Sequence, residues 1–366
     1  MREEPREWEM KQADIANYLK QVYQKEITVT GVGKLGETED GLKEFGYGNP
    51  LLLRFLADGE EKSAVLSSMR TEGGFGHDHF SDRAQILIWQ YSTFNNLPKH
   101  VKSIDAGYFT ADGRLESAGD ATEYFLLMEE VAGVEYFMDL ERISAEGATE
   151  LDEDRARALS DYLADIHARK SDNQELYVRR IRDTVGHGEC IMGLVDSYPH
   201  GLDFITDEEL LAIEKTCIDW RWKLKIQTDR LCMVHGDFHP WNVMFREGTD
   251  FSVLDRSRGE WGEAADDVSS MAMNYIFYSL QKHGGLEGDF KKVYDRFMDH
   301  YLTTTEDWDL LKVIQPFYAF RGLVVASPVW YPNLDYGIRV KLFNFIKNTL
   351  AEEEFDYRNV NSYLSG

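Results

Sequence analysis

A polar loop in the second half of the chain carries carboxylate and amide side chains at a spacing that suits chemistry on phosphate. Asp237 and Asn242 lie five positions apart in this loop, and Asp255 follows two short apolar runs at residues 243–245 and 251–254. Two such runs joined by a short loop that contains glycine predict a β-hairpin. Asn242 and Asp255 would then lie opposite each other at the open end of the hairpin, roughly 5 Å apart.

These two side chains would supply oxygen ligands at one place. An amide oxygen and a carboxylate at this separation suit a hard divalent cation such as Mg²⁺. Asp237 lies on the loop just before them, where its carboxylate can orient a hydroxyl group near the metal. Phosphoryl transfer requires charge neutralisation and alignment more than a strong nucleophile, so residues 231–257 predict a phosphoryl-transfer site.

The segments that must position this site change in character along the chain. In the first part, apolar or β-branched runs predict strands at residues 27–30, 50–57, 63–69, 101–109 and 123–130. Apolar spacing predicts helices at residues 6–24 and from Ser81 to about Asn95. Beyond Gly133 the same spacing predicts helices at residues 152–169, 207–225, 264–282, 289–302, 305–320 and 338–353. A β-rich half followed by a helical half predicts an α+β enzyme with two lobes.

Glycines follow the first predicted strand. Gly31, Gly33 and Gly36 come directly after residues 27–30. Glycines in this place let backbone N–H groups approach phosphates, which makes Gly33 a candidate for nucleotide binding. A turn or a β-bulge is the commoner reason for such glycines, and both interpretations stay open.

The composition of the chain restricts its partners and its location. The 366 residues carry a formal net charge of −25, which argues against nucleic acid and anionic membrane surfaces as partners because both are polyanions. This charge is compatible with a cationic or neutral small-molecule substrate, and equally with a role in solubility alone. Three cysteines without a CxxC pair favour the cytoplasm over a disulfide framework or a thiolate zinc site. We expect neither secretion nor a membrane-spanning helix, since no run of about 18 apolar residues occurs, and the sequence indicates no oligomeric state.

The polar loop and the hairpin resemble the catalytic segment of a known family. The His-Gly-Asp sequence at 235–237, with Asn242 five positions after its aspartate and then Asp255, is similar to that of the aminoglycoside phosphotransferase and choline kinase family. These enzymes are small-molecule relatives of protein kinases. Three weaker pieces stand in the family's order, namely a hinge-like run at 126–133, a helix ending in LxxLH at 163–167 and an acidic helix start at 265–268.

The resemblance implies a fold and an activity. The fold would be bilobal and protein-kinase-like, with a small antiparallel-sheet lobe over the nucleotide at residues 1–130 and a mainly helical lobe at residues 131–366. The activity would be ATP-dependent transfer of a phosphoryl group to a hydroxyl of an aminoglycoside-like compound, an amino alcohol or a sugar. GTP is the alternative nucleotide.

The resemblance also implies a role for each matching residue. Asp237 would accept or orient the proton of the substrate hydroxyl. Asn242 and Asp255 would hold Mg²⁺ on the nucleotide phosphates. Glu129 and Val131 would offer a backbone carbonyl and a backbone N–H to adenine.

The part of the site that should hold the phosphates departs from the family pattern. The family usually has a lysine directly after an apolar run on its third strand, paired with a glutamate on a helix. Here residues 64–66 are followed by Ser67, and residues 81–86 contain no glutamate. Arg70 or Arg54 would have to make the phosphate contact instead.

Two other functions are compatible with the same residues. If no cation replaces the lysine, the protein would bind a nucleotide without efficient catalysis. If His235, Asp237 and His239 are metal ligands at alternate positions of an extended segment, with Asp255 as a further ligand, the protein would be a metal-dependent hydrolase. Otherwise His235 would brace the loop through hydrogen bonds.

Overall fold

A computed structural model of the chain describes residues 10–34, 48–69 and 76–366. The chain divides into two compact units, an N-terminal unit Met1–Met128 and a C-terminal unit Glu129–Gly366. Within the described segments, none of the helices combines the length and the apolar character that a membrane crossing requires.

The N-terminal unit has two helices and five strands in its described part. They are α1 Gln12–Tyr23, β1 Ile27–Lys34, β2 Gly48–Ala57, β3 Glu60–Met69, α2 Phe80–Phe94, β4 Gly107–Phe109 and β5 Leu115–Ser117. Strands β1, β2 and β3 form an antiparallel sheet in that order, and β4 pairs with β5.

The three-stranded sheet follows from alternation and from one tight turn. Ala57 pairs with Glu60, so only Asp58 and Gly59 connect β2 to β3. Both have positive φ, 48° and 86°, as a type I′ turn demands, and Asp-Gly is a preferred pair for that turn. Along β2, Leu53, Phe55 and Ala57 are buried in one small core with residues of α1. Alternation along the strand therefore places one face of the sheet against this helix.

Some predicted elements of the N-terminal unit are wrong or shifted. Gly31 and Gly33 lie inside β1 rather than after it, and a register shift between Val29 and Gly31 marks a β-bulge. Helix α2 is capped by His79 rather than by Ser81, since the His79 side chain accepts a hydrogen bond from the Ser81 N–H.

The predicted strands at residues 101–109 and 123–130 are largely absent. Only Gly107–Phe109 forms a strand in the first of them. Residues 123–130 have no regular secondary structure and are exposed. An extended segment becomes a strand only if a neighbour accepts and donates its backbone hydrogen bonds, and no described strand pairs with residues 123–130.

The C-terminal unit is mainly helical. Its helices are α3 Tyr136–Glu146, α4 Glu150–His167, α5 Gln174–Gly186, α6 Ile191–Asp196, α7 Asp207–Leu224, α8 Ala264–His283, α9 Gly288–Thr305, α10 Gln315–Ala326 and α11 Tyr336–Ala351. Short 3₁₀ helices occupy Thr228–Arg230, Pro240–Asn242, Trp308–Lys312 and Val360–Leu364. Its strands are β6 Val134–Glu135, β7 Cys232–Met233, β8 Val243–Phe245, β9 Phe251–Val253 and β10 Trp261–Gly262.

Helix α8 forms the centre of this unit. It is buried along nearly its whole length and packs against α3, α4, α9 and α10. A helix that is apolar on all sides is stable only when other helices surround it. Its first turn, which carries Asp266 and Asp267, is thereby fixed at the candidate site.

The helical predictions hold with one exception and three omissions. Residues 305–320 do not form one helix, because α9 ends at Thr305 and α10 begins at Gln315, followed directly by Pro316. Proline has no N–H to donate and is tolerated only in the first turn of a helix. Helices α3, α5 and α6 were not predicted. The mixture of helices with small antiparallel sheets makes the chain an α+β protein, as predicted.

Candidate active site

The predicted hairpin is present, but its register differs from the expectation by one residue. Strands β8 and β9 pair Val243 with Val253, and the Leu254 N–H donates to the Asn242 carbonyl at 2.9 Å. Leu254, not Asp255, therefore lies opposite Asn242. Asp255 follows with a positive φ of 54°, so the chain leaves the strand geometry there and the ladder of hydrogen bonds does not orient this side chain.

Arg256 fixes the backbone directly after Asp255. Its guanidinium donates to the Val234 carbonyl at 2.9 and 2.7 Å and to the Glu260 carbonyl at 3.0 Å. These contacts tie the end of the hairpin to the residue that precedes the polar loop. The arginine that stands after the candidate metal aspartate thus has a structural role.

Asp267 holds the beginning of the polar loop. Its two carboxylate oxygens accept hydrogen bonds from the backbone N–H groups of His235 and Gly236, both at 2.7 Å. Gly236 has a φ of 86°, and a Cβ on it would meet the Arg258 Cβ at 3.3 Å. Only glycine adopts this conformation without strain. The turn before Asp237 therefore depends on Gly236 and on Asp267.

His167 supports Asp267 from α4. The imidazole Nε2 lies 3.2 Å from the Asp267 carboxylate, and Nδ1 lies 2.7 Å from the Tyr301 hydroxyl. Burial by itself raises the pKa of the Asp267 carboxyl, but the hydrogen bonds from His167 and from the loop hold that pKa below its ordinary value. The histidine of the LxxLH piece therefore helps to keep the carboxylate charged.

Asp237 is a largely buried carboxylate, with its side chain 15% exposed, and has cationic neighbours. Arg321 Nη1 donates to its Oδ1 at 2.6 Å, and Arg258 Nη1 lies 3.6 Å from the same oxygen. The other oxygen, Oδ2, lies 3.5 Å from His239 Nε2. Burial favours the neutral acid, but His239 and the two arginines hold the pKa of Asp237 well below its ordinary range. Asp237 is therefore ionised at neutral pH.

Arg321 joins the loop to the first turn of α8. Besides Asp237, it contacts Asp266 Oδ1 at 2.5 Å and the Gly236 carbonyl at 3.2 Å through Nη2. The residue is only 5% exposed. A buried guanidinium between two carboxylates fixes the position of both, because each charge would be costly without the other.

Asn242 presents an oxygen that is available to a ligand. Its Nδ2 donates to the Asp237 carbonyl at 3.0 Å, so Oδ1 faces the other way, and no residue in the described segments donates to it. The Asp255 carboxylate is exposed and likewise has no hydrogen bond or ion pair there. An amide oxygen and a carboxylate are the hard donors that Mg²⁺ prefers, so the residues present fit this cation.

The two loop histidines brace the backbone. His235 Nδ1 lies 3.3 Å from the Asp237 N–H, and His239 Nδ1 lies 3.3 Å from the Trp241 N–H. Across residues 10–34, 48–69 and 76–366, no group of three or more His, Cys, Asp or Glu side chains is arranged to hold a metal ion.

The residues expected on the nucleotide side are distributed over both units. Gly33 pairs with Leu52 inside the N-terminal sheet. Arg70 lies outside the described residues. Glu129 and Val131 lie in a segment without regular secondary structure at the start of the C-terminal unit, the first exposed and the second half-buried. Their roles stay predictions.

Arg54, the alternative to Arg70, has a defined position. It is exposed on β2, between Gly31 of β1 and Ser63 of β3. Because Leu53 and Phe55 on either side of it are buried, Arg54 points to the face of the sheet opposite α1.

Sequence reasoning missed Arg258 and Arg321. Arg321 is separated from Asp237 by 84 positions, and no local motif connects them. One signal was present, because Arg321 is the only charged residue in the otherwise apolar segment of α10. A lone charge on an apolar helix is almost always paired in the folded protein.

The family assignment rests on a sequence model. The model described as "Phosphotransferase enzyme family" matches residues 110–311, more than half of the chain. No curated protein matches the sequence.

Solved structures also resemble the chain, at low identity. An ethanolamine kinase from Plasmodium vivax is 14% identical, with a TM-score of 0.35, covering 94% of this chain and 82% of that one. An amicoumacin kinase bound to AMP-PNP, Ca²⁺ and Ami is 15% identical, with a TM-score of 0.39 and coverages of 90% and 91%. An ADP-bound aminoglycoside phosphotransferase is 14% identical, with a TM-score of 0.35 and coverages of 90% and 97%. Because these TM-scores are low, the solved structures add nothing to the family assignment. The match of the sequence model includes the whole polar loop and the hairpin. The chain belongs to the phosphotransferase enzyme family.

Proposed function

We propose that the protein transfers the γ-phosphoryl group of ATP, bound with Mg²⁺, to a hydroxyl group of a small molecule. The observation that carries this proposal is the Asp237 carboxylate, paired with Arg321 at 2.6 Å, on a loop that Asp267 and Arg321 hold at three backbone groups. Asn242 follows on the same loop, and no residue in the described part of the chain donates to its side-chain oxygen, Oδ1. A fixed carboxylate next to oxygen donors for a metal supports phosphoryl transfer, which depends on positioning and on charge neutralisation.

The two oxygens of Asp237 have different tasks. Oδ1 is occupied by Arg321 at 2.6 Å. Oδ2, which faces His239 at 3.5 Å, accepts the hydrogen bond of the substrate hydroxyl. The hydroxyl oxygen is thereby oriented for attack on the phosphorus atom.

The low pKa of Asp237 determines when the proton moves. A carboxylate stabilised by two arginines is a weak base and does not deprotonate a free hydroxyl group. The O–P bond to the substrate therefore forms, and the bond between the γ-phosphorus and the bridging oxygen of ADP breaks, before the proton passes to Oδ2. This order suits a loose transition state in which the nucleophile needs little negative charge.

Asn242 Oδ1 and the Asp255 carboxylate would hold Mg²⁺. The metal would supply positive charge to the nucleotide phosphates. Arg155 supports these ligands through the hairpin, because it donates to the carbonyls of Gly248 and Arg246, both at 2.9 Å.

On the nucleotide side, the backbone of Glu129 and Val131 would contact the adenine ring. Gly33 and a cation, either Arg54 or Arg70, would contact the phosphates. GTP stays an alternative to ATP. Ser67 stands where the family has lysine, and this difference supports the second candidate function, a nucleotide-binding protein with weak or no turnover.

Three aspartate variants test the proposal. Asp237→Asn should bind Mg-ATP as the unaltered protein does and lose ADP formation with every acceptor. Asp255→Asn should weaken Mg-dependent nucleotide binding. Asp250→Asn is the matched control, because Asp250 lies exposed on the turn of the same hairpin and should change neither property.

Calorimetry with Mg-ATP and an ADP-release assay over a panel of amino alcohols, sugars and aminoglycosides provide the measurements. Nucleotide binding without ADP release from any acceptor would support the second candidate. Undiminished turnover in Asp237→Asn would disprove the role of Asp237.

A further inference from the structure

Arg258 lies beside Asp237 with most of its hydrogen-bonding capacity unused. Its Nη1 is 3.6 Å from Asp237 Oδ1 and makes one long hydrogen bond, 3.5 Å, to the Gly236 carbonyl. Its Nε is buried, and no described residue accepts a hydrogen bond from it. A guanidinium has five N–H donors, so at least three of them have no acceptor within the described segments.

Asp237 has a closer cationic partner than Arg258. Arg321 already donates to Asp237 at 2.6 Å and to Asp266 at 2.5 Å. Charge-assisted hydrogen bonds are shorter than 3 Å, so the 3.6 Å separation leaves Arg258 as a neighbour rather than a partner of Asp237. Arg258 therefore adds its charge to the site at 3.6 Å from Asp237 and keeps most of its N–H donors without an acceptor in the described residues.

The position of Arg258 is fixed although its donors are free. Its guanidinium lies over the Phe320 ring, 5.0 Å from the centroid, and Arg321 lies over the same ring at 4.4 Å. The side chain is 24% exposed. Stacking on an aromatic ring holds the planar fork in one orientation, which reduces the entropy lost when a ligand binds.

We propose that Arg258 binds an oxyanion of the acceptor, so that the substrate is an anionic hydroxy compound such as a hydroxy acid or a sugar acid. This inference rests on the proposed function, since it places the acceptor hydroxyl at Asp237. A planar guanidinium recognises a carboxylate or a phosphate through paired hydrogen bonds. The acceptor would present its hydroxyl to Oδ2 of Asp237 and its anionic group to the guanidinium of Arg258.

The acidity of the whole chain does not oppose this inference. The net charge of −25 is distributed over the molecule, and charges on its surface are screened beyond a Debye length of about 8 Å at physiological salt. A hydrogen bond at contact distance inside a partly buried site is screened much less. The local arginine therefore decides which substrate charge is accepted.

Acceptor pairs that differ by one carboxylate test the inference. Glycerate with glycerol and gluconate with sorbitol are measured by calorimetry in the presence of Mg-ADP, and by ADP release with Mg-ATP. In the unaltered protein, we expect the anionic member of at least one pair to bind more tightly. Arg258→Met should weaken that binding about tenfold or more, as expected for the loss of a charge-assisted hydrogen bond, and Arg258→Lys should restore part of it.

The control variant is Arg157→Met, which removes the same charge from the exposed face of α4. It should leave the binding of both members of each pair unchanged. Equal or tighter binding of the uncharged members, or an equal effect of Arg258→Met on both members, would overturn the inference. So would the absence of binding by every anionic member.

The test also separates two other outcomes. If Arg258→Met lowers kcat equally for charged and uncharged acceptors without changing their binding, the guanidinium contacts the transferred phosphoryl group and the acceptor assignment is wrong. If anionic compounds bind through Arg258 but ADP is never released, the proposed function fails while the anion site stands.

Discussion

Arg321 enters the candidate site from α10, 84 positions after Asp237, and contacts Asp237, Asp266 and the Gly236 carbonyl. At the scale of residues, this side chain fixes the position of the proposed catalytic aspartate and, with His239 and Arg258, keeps it charged. Neither Arg321 nor Arg258 belongs to the motif that identifies the loop in the sequence. The motif thus predicts which residue meets the substrate but not how basic that residue is.

Arg321→Met should destabilise the protein and impair turnover. The substitution leaves the buried carboxylates of Asp237 and Asp266 without their closest cation, and removing one partner of such a group costs about 3 kcal/mol or more. Urea unfolding measures the loss, with Arg157→Met as a control of equal charge change. A loss below 0.5 kcal/mol would show that solvent compensates both carboxylates.

The low pKa of Asp237 predicts an acid-dependent loss of stability. Because the folded-state pKa lies below the ordinary value of 3.8, the stabilisation is complete above about pH 4 and is lost as the pH falls below it. Burial raises the pKa of Asp266, so that residue contributes with the opposite sign. Unfolding free energies between pH 6 and pH 3 should fall less in Asp237→Asn than in the unaltered protein. If the unfolding free energies of the two proteins fell by the same amount, Asp237 would not have a lowered pKa in the folded state.

At the scale of elements, the polar loop is held between the first turn of α8 and the hairpin. Asp267 binds its beginning, and the Asn242 carbonyl accepts the Leu254 N–H at its end. Helix α8 is buried along most of its length. A loop anchored to such a helix is preorganised, which is what electrostatic catalysis requires.

Gly236→Ala tests this anchoring. Alanine at a φ of 86° is strained by about 1–2 kcal/mol, and its Cβ would press on Arg258 at 3.3 Å. Gly201→Ala is the matched control, since Gly201 has a φ of 74° with no atom within 4 Å of the added Cβ. Both variants should lose similar stability in thermal unfolding, whereas only Gly236→Ala should lose ADP release. Equal activity in the two would show that the loop tolerates displacement.

At the scale of the whole molecule, a buried ionic cluster connects distant parts of the C-terminal unit. Arg230 donates to Glu263 at 2.8 to 3.1 Å and to Asp307 at 2.9 Å, and Tyr177 donates to Glu263 at 2.8 Å. These residues come from α5, the 3₁₀ helix before β7, the N-terminal cap of α8 and the segment after α9. The cluster therefore fixes the end of α8 that carries Asp266 and Asp267.

Arg230→Met should be among the most destabilising substitutions of a charged residue in the chain. It leaves the Glu263 carboxylate, whose side chain is 1% exposed, without a cation, at a cost of about 3–5 kcal/mol. Double substitution with Glu263→Gln should recover part of this loss. Denaturant unfolding measures both, and a double variant less stable than Arg230→Met would contradict the pairing.

Much of the C-terminal unit could be predicted from the sequence. Helical spacing predicted α4, α7, α8, α9 and α11, because their burial is one-sided or complete and continuous along the chain. Helices α3, α5 and α6 were not predicted, although α3 and α5 carry buried apolar residues at helical spacing. The strand predicted at residues 123–130 is wrong, because an extended segment needs a partner that lies elsewhere in the chain.

By itself, the sequence determined the α+β class, the hairpin after the His-Gly-Asp loop, and the order of Asp237, Asn242 and Asp255, since each depends on residues close together in the chain. Only the tertiary structure decided that Leu254 rather than Asp255 lies opposite Asn242, and that two arginines stand beside Asp237. The register is set by hydrogen bonds between strands. Arg321 reaches Asp237 through helix packing over 84 positions, and Arg258 reaches it from the turn between β9 and β10. The spacing of residues in the sequence does not predict such contacts, because they depend on the close packing of the entire core.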